Sequence, residues 1–339
     1  MPARKRIDWL RCAAALAAAV PRARLHPAVL AWAERSAPRR AWAVAFSGGA
    51  DSLALLLLVW AHWPRRRARL VALHFNHRLR GRESGADERF CARVCAVLGV
   101  RFVRGNWRRA RDGAGEAEAR DARLDFFRRH ARVVWLGHQQ DDVAETMLMR
   151  LARGSGAAGL AAPRPVQTLP GGRVHLRPLL GLKKKEICAA LREAGIAWRE
   201  DGSNATAKFF RNRVRHQVVA AWSAAAERDA LAGAALSREL LEEDDEALEA
   251  WVTQIVPQAA DGALNLRRLA GKPRAVWRRA LHRWLLRQPG AGRNLSRQAI
   301  AALLDDAMRA RPTRHSLGTA GFAVIARTRL RFSAAPRKK

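Results

Sequence analysis

The sequence predicts an α/β fold with a parallel sheet, followed by a smaller, mainly helical basic domain. From Trp42 onward, short apolar β-branched runs alternate with longer segments of helical period, which is typical of a parallel sheet with crossover helices. This alternation stops near residue 221, where helical sequence takes over. The chain has 339 residues, of which 49% are hydrophobic and 27% charged. It is therefore long enough for a large domain and a smaller one, each with a buried core.

Four short apolar runs are candidate strands of the sheet: 42–46, 70–75, 100–104 and 132–137. The segment 115–130 predicts a helix, because its apolar and charged residues fall on different sides at a 3.6-residue period. Residues 154–181 are rich in Gly and Pro, which favours a long irregular loop.

Beyond residue 221 the pattern predicts helices and then a small basic β element. The acidic run 239–249 is expected to be a solvated helix face. Residues 272–287 predict a helix that places Trp277 and Trp284 on one side, where core packing is the simpler interpretation. The segment 311–339 is basic, and its strand-like alternation predicts a β element that closes the second domain.

The charge of the chain points to a polyanionic partner. There are 63 Lys plus Arg, only eight of them Lys, against 30 Asp plus Glu, which leaves a formal charge of +33. Arginine matches phosphate with its planar fork, so nucleic-acid binding is favoured over an Arg-rich genome bias and over membrane-surface binding. The longest apolar runs are about half the roughly 20 residues that a membrane helix needs, so no membrane span is expected.

The cysteines and the N-terminal region favour a cytoplasmic protein. Cys12, Cys91, Cys95 and Cys188 show no CxxC pairing, which indicates core packing in a reducing compartment. The first 24 residues superficially resemble a signal peptide, but their apolar stretch is nearly all alanine and runs into Pro and Arg. An amphipathic first helix is the better explanation.

The string AVAFSGGADSLALLLL predicts a phosphate-binding turn between a buried strand and an apolar helix. Gly48 and Gly49 allow close approach of the backbone, and the helix that follows directs N–H groups and its positive dipole end at an anion. The string lacks the spacing and the lysine of a Walker loop. Because Asp51 would repel a bound phosphate, we expect Mg²⁺ between them. The alternative is an ordinary capped strand-to-helix turn.

The string GHQQDDVAETMLMRLARG predicts a cluster of acids at the end of a strand and the start of a helix. His138, Asp142 and Glu145 fall on one helix face, with Asp141 beside them. In so basic a chain these carboxylates suit a metal ion or an ammonium substrate, at the sheet edge where parallel sheets bind ligands. Capping of the helix N-terminus would explain one or two of the acids, though not the whole string.

Two further strings complete a resemblance to a known family. They are HFNHRLRG, residues 74–81, and REDGSNATAKFFRNRVRH, residues 199–216. With SGGADS and GHQQDDVAET they resemble the motif set of the tRNA(Ile)-lysidine synthetases, a family of the PP-loop, or N-type ATP pyrophosphatase, superfamily. The resemblance covers about residues 41–216, and it includes the segment with Glu116, Arg120 and Arg123. Family members differ in C-terminal length, and this chain is similar to the shorter kind.

The resemblance implies a parallel-sheet PP-loop domain, of the adenine nucleotide alpha hydrolase-like fold, at 1–220. It also implies a C-terminal helical tRNA-binding domain with a basic β element at 221–339. Its implied catalytic residues are Asp51, His138, Asp141, Asp142 and Glu145, and Asp51 is also the implied metal ligand. Its implied ATP-binding residues are Ser47, Gly48, Gly49, Asp51, Ser52, His74, Asn76 and Gly137. Its implied substrate- and tRNA-binding residues are Arg120, Arg123, Arg150, Asn204, Arg211, Arg213 and Arg215.

The implied reaction joins L-lysine to the wobble cytidine of an isoleucine tRNA with a CAU anticodon, using ATP and Mg²⁺. The cytosine carbonyl oxygen would attack the α-phosphorus of ATP, and the lysine amine would then displace AMP. The acids would hold the ammonium groups of lysine, and His138 would contact nucleotide or relay charge. The alternatives are a PP-loop tRNA thiolase or another adenylating RNA-modifying enzyme, an amide-forming synthetase of the superfamily, and an RNA-binding protein on a decayed nucleotide fold. The sequence leaves the oligomeric state open.

Overall fold

The computed structural model describes residues 7–37, 40–76, 82–107, 116–200, 210–257, 259, 261–288 and 295–335. The chain forms two compact units, Met1–Glu242 and Glu243–Lys339. The predicted functional division at 220/221, with catalysis on one side and tRNA binding on the other, stays a prediction.

The first unit alternates helices and strands. Its strands are β1 Trp42–Ala45, β2 Leu70–Asn76, β3 Arg101–Asn106, β4 Val133–Trp135, β5 Val166–Leu169 and β6 Arg173–Leu176. Its helices, before the long helix that continues into the second unit, are α1 Trp9–Ala19, α2 Pro27–Arg35, α3 Ala50–His62, α4 Arg82–Leu98, α5 Glu116–His130, α6 Gln140–Leu151, α7 Ala157–Leu160, α8 Lys184–Glu193, α9 Phe210–Arg213 and α10 Ala220–Ala225. Short 3₁₀ turns span Arg22–Arg24 and Pro64–Arg69, and a π-helical segment, Val214–Val219, joins α9 to α10.

The strands form one sheet in the order β3-β2-β1-β4-β6-β5, and all neighbours are parallel except β5 and β6. The predicted parallel α/β sheet is thus confirmed, with all four predicted strands in it. Chain order reverses between β1 and β4, because β2 and β3 lie on one side of β1 whereas β4 and β6 lie on the other. Such a switch point opens a crevice at the carboxyl ends of the strands, where ligands bind in α/β sheets.

The predicted irregular loop at 154–181 is wrong. The segment contains α7 and the β5–β6 hairpin, in which Val166 pairs with Leu176 and Leu169 with Arg173. The Gly and Pro residues mark the tight turn instead, because Gly171 and Gly172 both have positive φ, at 77° and 68°. The hairpin adds the edge strand that turns a parallel sheet into a mixed one.

Helix α3 is the centre of the core of the first unit. Each residue from Leu53 to Trp60 is at most 9% exposed, as expected of a helix that is apolar all round. The helix contacts β1, α1 and α8. This packing anchors the N-terminus of α3 at the carboxyl end of β1.

The second unit begins within α11, Ala230–Ile255, and continues with α12 Arg274–Leu286 and α13 Arg297–Met308. A four-stranded antiparallel sheet in the order β7-β10-β9-β8 completes it, with β7 Leu264–Asn265, β8 Thr313–Ser316, β9 Gly321–Ala326 and β10 Arg329–Ala334. The mainly helical character and the C-terminal β element are both confirmed, and Trp277 and Trp284 are buried in the core as predicted. Within the described ranges, none of the helices has the length and apolarity needed to cross a bilayer.

Candidate active site

The turn at Ser47–Ser52, here called the glycine turn, connects β1 to α3 at the switch point of the sheet. The Ser52 hydroxyl accepts a hydrogen bond from the Ser47 N–H (3.2 Å) and donates one to the Gly49 carbonyl (3.0 Å). Gly48 has a φ of +92°, and a Cβ there would lie 3.1 Å from Cys91 Sγ. The turn therefore requires glycine at position 48 and leads directly into the N-terminus of α3, and anion binding there stays a prediction.

Asp51 offers one paired and one unpaired carboxylate oxygen. Its Oδ2 accepts a hydrogen bond from Lys184 Nζ at 2.6 Å. Its Oδ1 is buried and has no hydrogen-bond partner among the described residues. Burial raises the pKa of Asp51, and the Lys184 ammonium partly offsets this. Such an oxygen fits a divalent cation. Mg²⁺ is commonly bound through one or two carboxylates together with substrate phosphates, and the described residues contain no cluster of three or more acidic, His or Cys ligands.

Lys184 is a site residue that sequence reasoning missed. It begins α8, and its backbone N–H donates to Asp141 Oδ2 at 2.9 Å while its side chain binds Asp51. It thus bridges the glycine turn to the acids that follow β4. The three successive lysines at 183–185, just before Glu186 at the start of an amphipathic helix, were the available signal.

Gly137 lets the end of β4 approach the glycine turn closely. A Cβ at this position would lie 3.0 Å from the carbonyl oxygen of Asp51 and 3.2 Å from the backbone nitrogen of Ser52. Both of these neighbours are backbone atoms, so a larger residue would displace the turn.

The predicted acids Asp141, Asp142 and Glu145, here called the acidic stripe, lie on the first two turns of α6. Asp142 Oδ2 accepts a hydrogen bond from the Gln139 N–H at 3.0 Å, and Gln139 Oε1 accepts one from the Asp141 N–H. Capping of the α6 N-terminus therefore accounts for one of the two carboxylate oxygens of Asp142. It does not explain Glu145, which is completely buried.

Two predicted arginines pair with the acidic stripe. Arg211 binds Asp142 and, at 2.6 Å, Glu145, whereas Arg215 binds the other oxygen of Glu145 at 2.5 Å. Arg211 and Arg215 are one helical turn apart, and Arg215 lies in the π-helical segment, a distortion that is frequent at functional sites. Arg213 is exposed, with its guanidinium 5.8 Å from the Phe210 ring. The structure therefore brings Arg211 and Arg215 to carboxylates, and their role as phosphate clamps stays a prediction.

Two further predicted residues, His74 and Asn76, lie on β2. His74 is buried, with Nδ1 2.9 Å from the Phe46 carbonyl, and burial lowers its pKa. Asn76 donates to Glu88 at 3.3 Å. His74 thus connects β2 to the carboxyl end of β1, and Asn76 connects the end of β2 to α4, whereas direct contact with nucleotide stays a prediction.

His138 follows β4 and precedes Gln139, the residue that caps α6, so the predicted position of His138 on one helix face with Asp142 and Glu145 is wrong. Its imidazole lies among arginines. Burial, and then the guanidinium groups of Arg177, Arg211, Arg123 and Arg120, hold its pKa well below the ordinary value. Arg150, on α6, donates to the Gly159 carbonyl. Asn204 lies outside the described residues. Arg177 was not predicted, although a single charge inside the apolar run HLRPLL was a signal for it.

The fold and the glycine turn define a nucleotide-binding α/β protein of the PP-loop class. The family model for the PP-loop domain matches residues 24–222, more than half of the chain. A tRNA(Ile)-lysidine synthase of Rhodococcus erythropolis is 36% identical over 294 residues, which are 83% of this chain and 85% of that protein. The chain belongs to the tRNA(Ile)-lysidine synthase family.

Other relatives of that name match over a smaller share of their length. The protein of Geobacter sulfurreducens is 38% identical over 78% of this chain and 56% of its own length, and that of Solibacter usitatus is 44% identical over 54% and 42%. The chain thus spans about half the length of these curated relatives. Among solved structures, a U34-tRNA thiolase of Methanococcus maripaludis matches with a TM-score of 0.45 and 16% identity over 68% of this chain and 78% of that chain, a level that does not bear on function.

Proposed function

We propose that this protein attaches L-lysine to the wobble cytidine of an isoleucine tRNA with a CAU anticodon, at the expense of ATP. The observation that carries the proposal is the meeting, at one sheet edge, of the glycine turn and the acidic stripe through Lys184. An anion-binding turn and an acidic surface for an amine are the two halves that such a ligation needs.

The glycine turn would hold the β- and γ-phosphates of ATP. Ser47, Gly48, Gly49 and Ser52 form the cradle, and Lys184 adds a cation at its edge. Asp51 would bind Mg²⁺ through its unpaired Oδ1, and the metal would supply positive charge between this carboxylate and the phosphates. The Lys184 ammonium already contacts Asp51 Oδ2 at 2.6 Å, so it is within reach of a phosphate bound there.

Two bond exchanges complete the reaction. The carbonyl oxygen of the cytosine attacks the α-phosphorus, and the bond to the β-phosphate breaks, so pyrophosphate leaves. The neutral ε-amine of lysine then attacks the activated ring carbon, the carbon–oxygen bond breaks, and AMP leaves. The amine proton passes to an acceptor in the site, for which Asp141 is placed most openly of the acidic stripe.

The acidic stripe would hold the ammonium groups of lysine. Arg211 and Arg215 bind Asp142 and Glu145, whereas Asp141 accepts a hydrogen bond from the neutral backbone N–H of Lys184, so these two arginines do not compensate the charge of Asp141. Each carboxylate oxygen has two acceptor sites. An ammonium group can therefore bind without displacing either arginine.

The second unit supplies a basic surface that suits tRNA. On the outer face of its sheet, Arg314 and Arg331 flank Val324 in one cross-strand row. The Arg314 guanidinium stacks 3.6 Å from the centre of the Phe322 ring, in the next row. Arginine and aromatic groups on an exposed sheet face favour phosphate and base contacts. Since tRNA and ATP are cytoplasmic, we assign the protein to that compartment.

Cysteine chemistry of the thiolase kind is disfavoured. Cys91 and Cys95 are buried, and burial raises the pKa of Cys95 to about 12 and that of Cys91 still further. Cys12 and Cys188 are partly exposed, and burial raises both pKa values. None of these thiols is activated as a nucleophile.

The direct test uses the full chain with ATP, lysine and an isoleucine tRNA transcript with a CAU anticodon. We expect AMP, and a nucleoside heavier by one lysine residue in the digested tRNA. The matched control is the same transcript with uridine at the wobble position, which should give no product. Absence of the heavier nucleoside with the CAU transcript, in a protein that binds ATP, would overturn the proposal.

A further inference from the structure

Arg177 and His138 come from neighbouring parallel strands. Arg177 directly follows β6, and His138 lies three residues after β4. These strands pair in parallel, Trp135 with Leu176, and the Leu136 N–H extends the ladder by donating to the Leu176 carbonyl at 2.8 Å. The topology therefore places both side chains at the same edge of the sheet.

The Arg177 guanidinium is fixed on three sides. The residue is 4% exposed. Its NH1 donates to the Arg164 carbonyl at 2.7 Å, its NH2 to Gln167 Oε1 at 2.9 Å, and its Nε to His138 Nδ1 at 3.2 Å. Two of these acceptors lie on or just before β5, so the hairpin that sequence analysis overlooked holds the arginine in place.

This hydrogen bond determines the protonation state and the tautomer of His138. An arginine keeps its protons, so Nδ1 can only accept, and the single imidazole proton lies on Nε2. Protonation of Nδ1 would replace the hydrogen bond by two N–H groups facing each other. The other charged groups around His138, the guanidiniums of Arg120, Arg123 and Arg211, oppose protonation as well.

We propose that Arg177 is a positioning residue that fixes His138 as a neutral hydrogen-bond donor through Nε2–H, an inference that rests on the proposed function. His138 then contacts an oxygen of a bound nucleotide, either of phosphate or of the cytosine carbonyl, and it does not act as a base. Of the two roles that the sequence left open for this histidine, contact is the one that the geometry supports.

The state of His138 can be measured without substrates. In the full chain with ¹⁵N-labelled histidine, the His138 signals are assigned by their loss in His138→Gln. We expect an unprotonated Nδ1 and a protonated Nε2 throughout about pH 5 to 8, where an ordinary histidine titrates. In Arg177→Gln we expect His138 to titrate in that range or to populate both tautomers. Arg173→Gln, at the other end of β6, is the control and should leave the His138 signals unchanged.

Activity separates a donor from a base. The amide nitrogen of His138→Gln can occupy the position of Nε2, so lysidine formation should fall by about tenfold or less, the size of one altered hydrogen bond. His138→Ala should lose about 100-fold or more. If His138 were a base, the Gln variant would lose about 10² to 10⁴ as well.

Titration of His138 in the unaltered chain, or equal losses in the Gln and Ala variants, would overturn the proposal. Because the NMR measurement needs no turnover, it decides the role of Arg177 even if lysidine is not the product. If Arg177→Gln does not fold, the unaltered chain still decides the state of His138, and Gln167→Ala, which removes one acceptor of the Arg177 guanidinium, tests the role of Arg177 by the same signals.

Discussion

Glu145 allows the energetic role of the paired arginines to be tested by substitution. Its side chain is 1% exposed and binds both Arg211 and Arg215, whose side chains are 22% and 34% exposed. Replacing Glu145 by Ala leaves two partly buried guanidinium groups without this partner. Removing one member of a buried ion pair costs about 3 to 5 kcal/mol. Since both arginines retain some contact with water, we expect the lower limit, about 3 kcal/mol.

Two comparison variants calibrate this value. Glu145→Gln keeps the volume and one acceptor oxygen and loses the charge, so it should cost about 1 to 2 kcal/mol. Glu34→Ala removes an exposed partner of Arg22 in the same unit, with side chains 66% and 40% exposed, and should cost less than about 1 kcal/mol.

The assay is urea unfolding without substrates, followed by pulsed hydrogen exchange of peptides from β1 and α3. These peptides report on the first unit alone, which matters in a protein with two units. A cycle with Arg215→Ala should give a coupling energy of about 1 to 3 kcal/mol. If the free energies of unfolding of Glu145→Ala and Glu34→Ala agree within about 1 kcal/mol, the ion pairs of Glu145 do not stabilise the site and the reasoning is refuted.

Four further predictions concern the site and the basic surface. Gly137→Ala should weaken ATP binding in a filter assay while circular dichroism stays unchanged, because the new Cβ would lie 3.0 Å from the Asp51 carbonyl oxygen; unchanged affinity would contradict the close approach. Asp51→Asn should lower the rate of AMP formation about 100-fold or more if this carboxylate holds the metal, and a rate near that of the unaltered chain would place the metal elsewhere. Burial, opposed by Arg211, raises the pKa of Asp142 from 3.8 to about 6. Because the folded chain then binds more protons than the unfolded chain between these pH values, the contribution of Asp142 to the free energy of unfolding falls as pH rises through that window. Asp142→Asn should flatten this part of the plot of unfolding free energy against pH, and an unchanged plot would contradict the prediction. Finally, Arg314→Ala with Arg331→Ala should reduce the slope of log affinity for tRNA against log salt by about 2, and an unchanged slope would exclude this face from the phosphate contacts.

The strands and the glycine turn could be predicted because their signals are local. An apolar run followed by SGGADS encodes strand, turn and helix within 16 residues of sequence. The β5–β6 hairpin was missed because Gly and Pro mark both loops and tight turns. Only its pairing with β4 separates the two cases, and that pairing is not local.

The partners of the charged residues could not be predicted for the same reason. Arg215 and Glu145 are 70 positions apart, and Lys184 and Asp51 are 133 apart. The residue types were identified as functional, but the pattern does not specify which cation meets which anion. Arg211 and Arg215 accordingly received only a phosphate-binding role, and Lys184 received none.

The ion pairs of Glu145 also constrain how this family can diverge. A change of Glu145 alone leaves Arg211 and Arg215 without this partner, and loss of Arg215 alone leaves the buried carboxylate undercompensated. Each single step is costly, whereas joint replacement of Glu145 and Arg215 by neutral residues leaves the Arg211–Asp142 pair in place. Glu145 and Arg215 should therefore be inherited together, and a natural homologue that has lost the acid should have lost Arg215 too.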